Sequence, residues 1–428
     1  MSDARQLVAL DDPLRARLAA VLTSTVATQY GELPLSKALD SGDERVFGAA
    51  IIRLNQIGNE VKALLVNDRR FPGNAVLQMR NEAGSSNLYP HMAGVPLLRR
   101  VLATGSPDDA IEWLQRMLKT KEATGRTIEA LWGVAVKEEI ALLPDVKIVP
   151  FDQLPDSSQK RLLMNSGPRS QMFLMTLFDY VPPKAALVVN RVLDGVIHGV
   201  ADAQANDGGE ARQIDRLLAD ITLVLTLAGP RVPVSSMTWF EFDDRDLQDL
   251  APLADMYRGR RPELLPFTSL DFPPLDATEA QSLIHDFLAL SEETKQKLRV
   301  ALHRLNMAQR RGGIGDRAVE LCIALEILLG DEGHDDVAHK AAIRSALLLG
   351  GEAEERLINA DVIRMTYGFR REFVRQGNEP SGKKERNGLK IPVAAIVDSA
   401  VQLGIAVARI VIQRGGIPDW RRFDLGDS

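Results

Sequence analysis

Apolar residues recur in this chain at two different spacings, and the change from one to the other marks out its regions. Residues 13–30 and 43–67 are predicted helices. In the second, Val46, Ala50, Leu54, Ile57, Val61 and Leu64 follow at steps of three or four and form one stripe. Residues 68–96 hold Pro72, Gly73, Gly84, Pro90, Gly94 and Pro96 and read as mostly connection. Another helix is predicted from about Asp108, with Ile111, Leu114, Met117 and Leu118 on one face, ending by Gly125.

Short apolar runs then replace the helical stripes. Val134-Ala135-Val136 and Val146-Lys147-Ile148-Val149, separated by Leu143-Pro144-Asp145, predict paired strands. Residues 185–193 predict a further strand. Residues 212–228 predict a buried helix stopped by Gly229-Pro230, and Trp239, Phe240 and Phe242 mark one more strand. A joint rich in proline follows, at Pro262, Pro266, Pro273 and Pro274. Beyond it the strand signals vanish. Helices are predicted at 279–311, 316–329, 337–349, 354–374 and 392–413, with Pro392 suited to a first helical turn. In the second of these Ala318, Leu321, Cys322, Leu325 and Leu328 form a stripe that Ile323, Ala324 and Ile327 widen, which places it centrally in a bundle. The expected fold is therefore multidomain α+β. It has a mostly helical N-terminal region at 1–125, a mixed α/β domain at 126–275 and an all-α bundle at 276–428.

Composition narrows the partners. With 428 residues, 45% hydrophobic and 26% charged, the chain is ordinary globular material long enough for two or three cores. Its 52 basic and 58 acidic side chains give a net charge of −6, which excludes a uniformly basic coat for nucleic acid. A single cysteine, Cys322, excludes a disulfide scaffold. The start Met1-Ser-Asp-Ala-Arg5 lacks the apolar core of a signal peptide, and no run of about 18 consecutive apolar residues appears. A reducing, cytoplasmic location without a membrane span is expected.

The usual catalytic signatures are absent. No phosphate loop of the G-x-x-x-x-G-K-[ST] type and no G-x-S-x-G elbow occurs. Gly312-Gly313-Ile314-Gly315 falls between two predicted helices and reads as an interhelical turn, because a nucleotide loop needs a preceding strand. His334, Asp335, Asp336 and His339 read as a solvated loop, since structural zinc wants four well-spaced nitrogen or sulfur ligands. Cys322 lies on an apolar helix face and reads as a core residue.

One constellation stands out near the C-terminus. The residues are Asp316-Arg-Ala-Val-Glu-Leu-Cys-Ile-Ala-Leu-Glu326-Ile-Leu-Leu-Gly330, then His339-Lys340-Ala-Ala-Ile-Arg344, then Tyr367-Gly-Phe-Arg370-Arg371-Glu-Phe-Val374-Arg375-Gln-Gly377, with Gly416-Ile-Pro-Asp-Trp420 behind them. In these residues the chain resembles the HEPN superfamily, most closely its Apea-like branch, over about residues 277–420. The middle region, at Gly133-Val134, Leu154-Pro-Asp-Ser157 and Asp220-Ile-Thr-Leu-Val-Leu-Thr-Leu227, is similar to the domain that often precedes it.

The resemblance implies a helical bundle that forms a two-fold homodimer and an Arg-x4–6-His motif. In the family that motif cleaves RNA without metal: arginine holds the phosphate and histidine moves the proton. Carried onto this chain, Arg370 is the motif arginine, but Arg375 stands where the histidine belongs. Both are the candidate catalytic residues. Arginine keeps its proton at pH 7 and cannot act as a general base. Tyr367, Glu326, Lys340 and Arg344 are the candidate supporting residues, with Glu326 and Arg344 expected to pair inside the bundle. Between Asp361 and Lys390 eight basic side chains face four acidic ones, a net +4 that reverses the sign of the whole chain. Arg364, Arg371, Lys383, Lys384 and Arg386 are the candidate RNA-binding residues there. No cofactor and no metal are expected.

Three readings follow. The chain is a non-cleaving RNA binder of a bacterial anti-phage or toxin–antitoxin system, or an active endoribonuclease of abortive phage defence, or a dimerising adaptor. The expected partners are RNA, with tRNA among the candidates, a second copy of the chain, and a phage or antitoxin protein. Fold resemblance alone does not choose among them.

Overall fold

The computed structural model describes residues 13–26, 29–30, 33–34, 38, 43–66, 76–81, 84–89, 93–164, 182–199, 209–229, 231–251, 257–259, 272–331, 336–386 and 388–426. The chain opens with α1 (Pro13–Val26), β1 (Gln29–Tyr30), β2 (Leu33–Pro34), α2 (Glu44–Leu65), β3 (Leu77–Asn81), β4 (Gly84–Leu88), α3 (Gly94–Thr104) and α4 (Pro107–Met117). Then come β5 (Glu122–Trp132), β6 (Ile140–Leu143), β7 (Val146–Pro150), α5 (Ser158–Met164), β8 (Ala185–Asp194), β9 (Ile197–Gly199), α6 (Gly209–Val224), β10 (Val234–Phe242), α7 (Arg245–Leu250) and β11 (Arg258–Gly259). The last part holds α8 (Ala277–Ala289), α9 (Glu292–Arg310), α10 (Ile314–Leu329), α11 (Val337–Leu349), α12 (Ala353–Gln376), β12 (Lys383–Arg386), β13 (Leu389–Pro392), α13 (Val393–Gln413) and α14 (Trp420–Phe423). The architecture is mixed α+β, with antiparallel sheets in the middle and a helical C-terminal region.

Two compact units form. The first comprises Met1–Thr127, Asn190–Arg212 and Phe240–Met256. Here Asp43 caps α2 by accepting from the amides of Arg45 and Val46; of the predicted stripe Ala50, Leu54, Ile57 and Val61 are buried, Val46 and Leu64 are half-buried, and Leu65 rather than Leu64 reaches the core. The segment expected as connection folds further than its prolines and glycines suggested. It holds the antiparallel strands β3 and β4, with β9 as third strand, and the helix α3. Pro96 lies in the first turn of α3, where a missing N–H costs nothing. The helix expected from about Asp108 and ending by Gly125 runs from Pro107 to Met117, and β5 begins at Glu122.

The second unit comprises Ile128–Val189, Gln213–Trp239 and Tyr257–Ser428. It carries a six-stranded sheet in the order β11-β10-β5-β8-β7-β6. Strand β8 explains why an unbroken apolar run was needed. Ala185, Leu187 and Val189 enter one buried cluster together with Leu302, Leu325 and Val407 of the helices, while Ala186 and Val188 enter another with Trp132, Phe151 and Trp239. Both faces are covered over 185–189, so the period-two alternation disappears there, and it returns beyond, where Arg191 and Leu193 are buried and Asn190, Val192 and Asp194 are exposed. The region expected at 126–275 and the bundle expected at 276–428 thus share one core. Val134-Ala135-Val136 is not a strand: Gly133 ends β5 at φ +70, and Ile140–Leu143 pairs with β7 instead.

The helical region departs from expectation in two places. The predicted helix 279–311 is two helices, because Ser291 accepts from the Thr294 amide and caps α9. The region is also not purely helical, since β12 and β13 form an antiparallel hairpin with Lys383 opposite Pro392 and Arg386 opposite Leu389. The sequence at its turn is Asn387-Gly388, and Gly388 has φ +76, as tight hairpins favour. Helix α13 is long and apolar enough to cross a membrane, yet here it fills the core: Ile396, Val397, Ala400, Val401, Val407, Ala408 and Val411 are all buried.

Candidate nucleic-acid interface

Helix α12 carries most of the candidate residues. Glu354 and Glu355 occupy its first turn and Arg375 its last, which complements the helix dipole. Gly377, at φ +68, ends it and donates its amide to the Phe373 carbonyl. One side of α12 buries Ala360, Val362, Ile363, Thr366, Tyr367 and Phe369. Arg364, Gly368, Arg371 and Arg375 follow at steps of four, three and four, so they share one face. Arg364, Arg371 and Arg375 are exposed, and an added Cβ at Gly368 would meet nothing within 4 Å. The helical rise sets the three arginines about 10 Å and about 6 Å apart along the axis. Arg364 is paired with Asp361 at 3.0 Å. Arg371 and Arg375 have no ion pair among the described residues.

Arg370 belongs to a different face. The helix runs regularly through Gln376, so five residues separate Arg370 from Arg375 by about 140° around the axis. The expected catalytic pair is therefore not brought together within one chain. Arg370 forms an ion pair with Glu326 of α10. Burial works against its charge, but the bond and field of Glu326 prevail and hold the guanidinium above its usual range. Tyr367 donates its hydroxyl to the Cys322 carbonyl at 3.4 Å. Burial pushes both the Cys322 thiol and the Tyr367 phenol well up, so both are neutral at pH 7. No histidine is among the groups acting on Arg370. His285, His303 and His339 are exposed on other helices, while His91 and His334 lie outside the described residues, as does Asp335.

Glu326 and Arg344 do not pair with each other, contrary to expectation. Arg344 reaches the other way, to Asp331 at 2.7 Å, Asp424 at 2.6 Å and the Leu329 carbonyl at 2.7 Å. Its guanidinium lies 5.3 Å from the ring centroid of Trp420. Lys340 joins the same group through Asp331 at 3.0 Å. Of the two cations only Arg344 reaches the C-terminal segment, through Asp424 and Trp420. Spacing in sequence could not separate the alternatives, because Arg370 and Glu326 meet only once α10 and α12 pack.

The remaining candidates lie on the hairpin. Lys383 and Lys384 are exposed, without ion pairs among the described residues, and adjacent strand positions send them to opposite faces. Glu385 stands opposite Lys390. The side chain of Arg386 lies outside the described residues.

Two further features escaped the sequence reading. The glycine turn before α10 is an interhelical turn as expected, but it is also a docking point. Glu379, just beyond α12, accepts from the Gly315 amide at 3.0 Å, and a Cβ on Gly315 would lie 2.4 Å from the Phe373 ring. Glu320 is buried between Arg304 at 2.9 Å and Arg311 at 2.9 Å. Among the described residues no cluster of His, Cys, Asp and Glu could hold a metal ion.

In comparisons with protein-family models, curated proteins and solved structures, none matches this chain.

Proposed function

We propose that the C-terminal region binds single-stranded RNA through the exposed arginine face of α12 and does not cleave it. The observation that carries this is the row Arg364, Arg371 and Arg375, open to solvent, with the latter two charges unneutralised among the described residues. A charge row of that kind suits a phosphate backbone, whose contacts need donors and no titratable group. Lys383 and Lys384, on opposite faces of the hairpin that follows α12, add two exposed cations to this region. Cleavage would need a group that exchanges a proton near pH 7 beside the phosphate, and Arg370 is surrounded by Glu326, Cys322 and Tyr367 instead. In this reading the chain is a degenerate member of the HEPN superfamily. It acts as a homodimer in a bacterial anti-phage or toxin-type system in the cytoplasm.

The test is fluorescence anisotropy of a labelled single-stranded RNA with the full chain at several salt concentrations. Affinity is expected to fall as salt rises, with a log–log slope of about −0.7 per phosphate contacted. The double variant R371E/R375E should weaken binding by at least about tenfold and flatten that slope, since two contacts become repulsions. Binding that is independent of salt, or unchanged in R371E/R375E, would overturn the proposal.

A further inference from the structure

Two ion-paired arginines in the helical region differ in their exposure. The Arg344 side chain is 2% exposed and tied to two carboxylates and a carbonyl, a closed structural knot. The Arg370–Glu326 pair is open, with side chains 32% and 33% exposed, and Val374 one turn along is exposed beside it. A dissolved anion can reach Arg370. The groups acting on its charge are Glu326, Cys322 and Tyr367, and of these only Glu326 is a carboxylate in an ion pair with it. A carboxylate and a phosphate compete for the same planar fork of guanidinium donors.

We propose that Glu326 is an internal counter-ion that withholds Arg370 from phosphate, so that Arg370 is a reserve RNA ligand rather than a working one. This rests on the RNA-binding reading above and adds to it: the identity of residue 326 sets how many phosphates the surface engages. Arg370 projects from α12 about 100° away from Arg371.

The experiment is a double-mutant cycle on the full chain, read by anisotropy of labelled single-stranded RNA, with thermal melts as a folding control. Arg370→Ala alone should leave affinity within about twofold of wild type, because its charge is already spent on Glu326. Glu326→Gln should tighten binding about three- to tenfold and steepen the salt slope by about 0.7, one added phosphate contact. Adding Arg370→Ala to Glu326→Gln should remove the gain. Two results overturn the proposal: a tenfold loss from Arg370→Ala alone, which would make Arg370 a working ligand, or no Arg370-dependent gain in Glu326→Gln. If wild type does not bind RNA at all, the arginine-face reading fails, and an Arg370-dependent gain in Glu326→Gln still decides this one. If Glu326→Gln does not fold, Arg370→Ala decides it alone.

Discussion

Glu320 shows how much a single buried charge depends on its partners here. Removing its carboxylate from water pushes its pKa up, but hydrogen bonds and attraction from Arg304 and Arg311 win and hold it below the usual carboxylate range. A folded-state pKa below the unfolded one means stability that is fully present above the unfolded value of about 4.3 and lost as pH falls through the folded one. Glu320→Gln should therefore cost about 1.5–3 kcal/mol at pH 7, the worth of bonds to a charged group. The difference from wild type should shrink as pH falls below about 4. Urea melts from pH 3 to pH 7 check this, and a constant difference across that range would contradict it. The same reasoning applies to Arg370. Its expected role in phosphate binding came from a motif position, whereas its charge is taken up by Glu326, 44 residues away in the chain. No local pattern encodes that meeting. A four-and-seven spacing in a helix fixes a shared face for Arg364, Arg371 and Arg375 whatever the tertiary context, but the motif position set Arg375 with Arg370 instead.

The elements with one strong period were readable, and those resting on a single residue were not. Helix α2 follows its stripe, and β8 follows its apolar run at 185–189. The break between α8 and α9 depends on the Ser291 cap, and the β12–β13 hairpin turns at Gly388 with its positive φ; neither shows in the helical period of the surrounding sequence. The hairpin β3–β4 was hidden because its short strands gain a third partner, β9, from more than a hundred residues on. The turn into α10 is a case where packing and propensity oppose each other. Alanine at position 315 would improve helix propensity by about 1 kcal/mol. Its Cβ would also lie 2.4 Å from the Cγ and Cδ2 of Phe373, atoms near the root of that side chain that cannot simply swing aside. Overpacking of this kind costs about 1–3 kcal/mol. Gly315→Ala should therefore lower the urea midpoint, and the two changes Gly315→Ala and Phe373→Ala together should cost less than the sum of each alone, since Phe373→Ala removes the clashing Cγ and Cδ2. A raised midpoint in the single variant would mean propensity decides.

Seen whole, the molecule joins a sheet and a helical bundle in one core within the second unit, where Leu131, Leu187 and Val189 are buried with the bundle's leucines and valines. That sharing could not be read from composition, because the proline-rich joint at 262–274 looks like a linker while the strands before it supply one wall of the bundle's core. The arrangement leaves α12 with one face in the core and the other, arginine-bearing, free. It also sets Arg370 and Arg375 about 140° apart, so Arg375→His in one chain does not place imidazole beside the motif arginine. The most direct measurement pairs a native gel with a denaturing gel on one incubation of labelled single-stranded RNA, with EDTA present. The account predicts RNA that is shifted by wild type and recovered intact, RNA that is neither shifted nor cut by R371E/R375E, and no cutting by Arg375→His. Cleavage by wild type that disappears in Arg370→Ala would contradict it, and so would an undiminished shift with R371E/R375E.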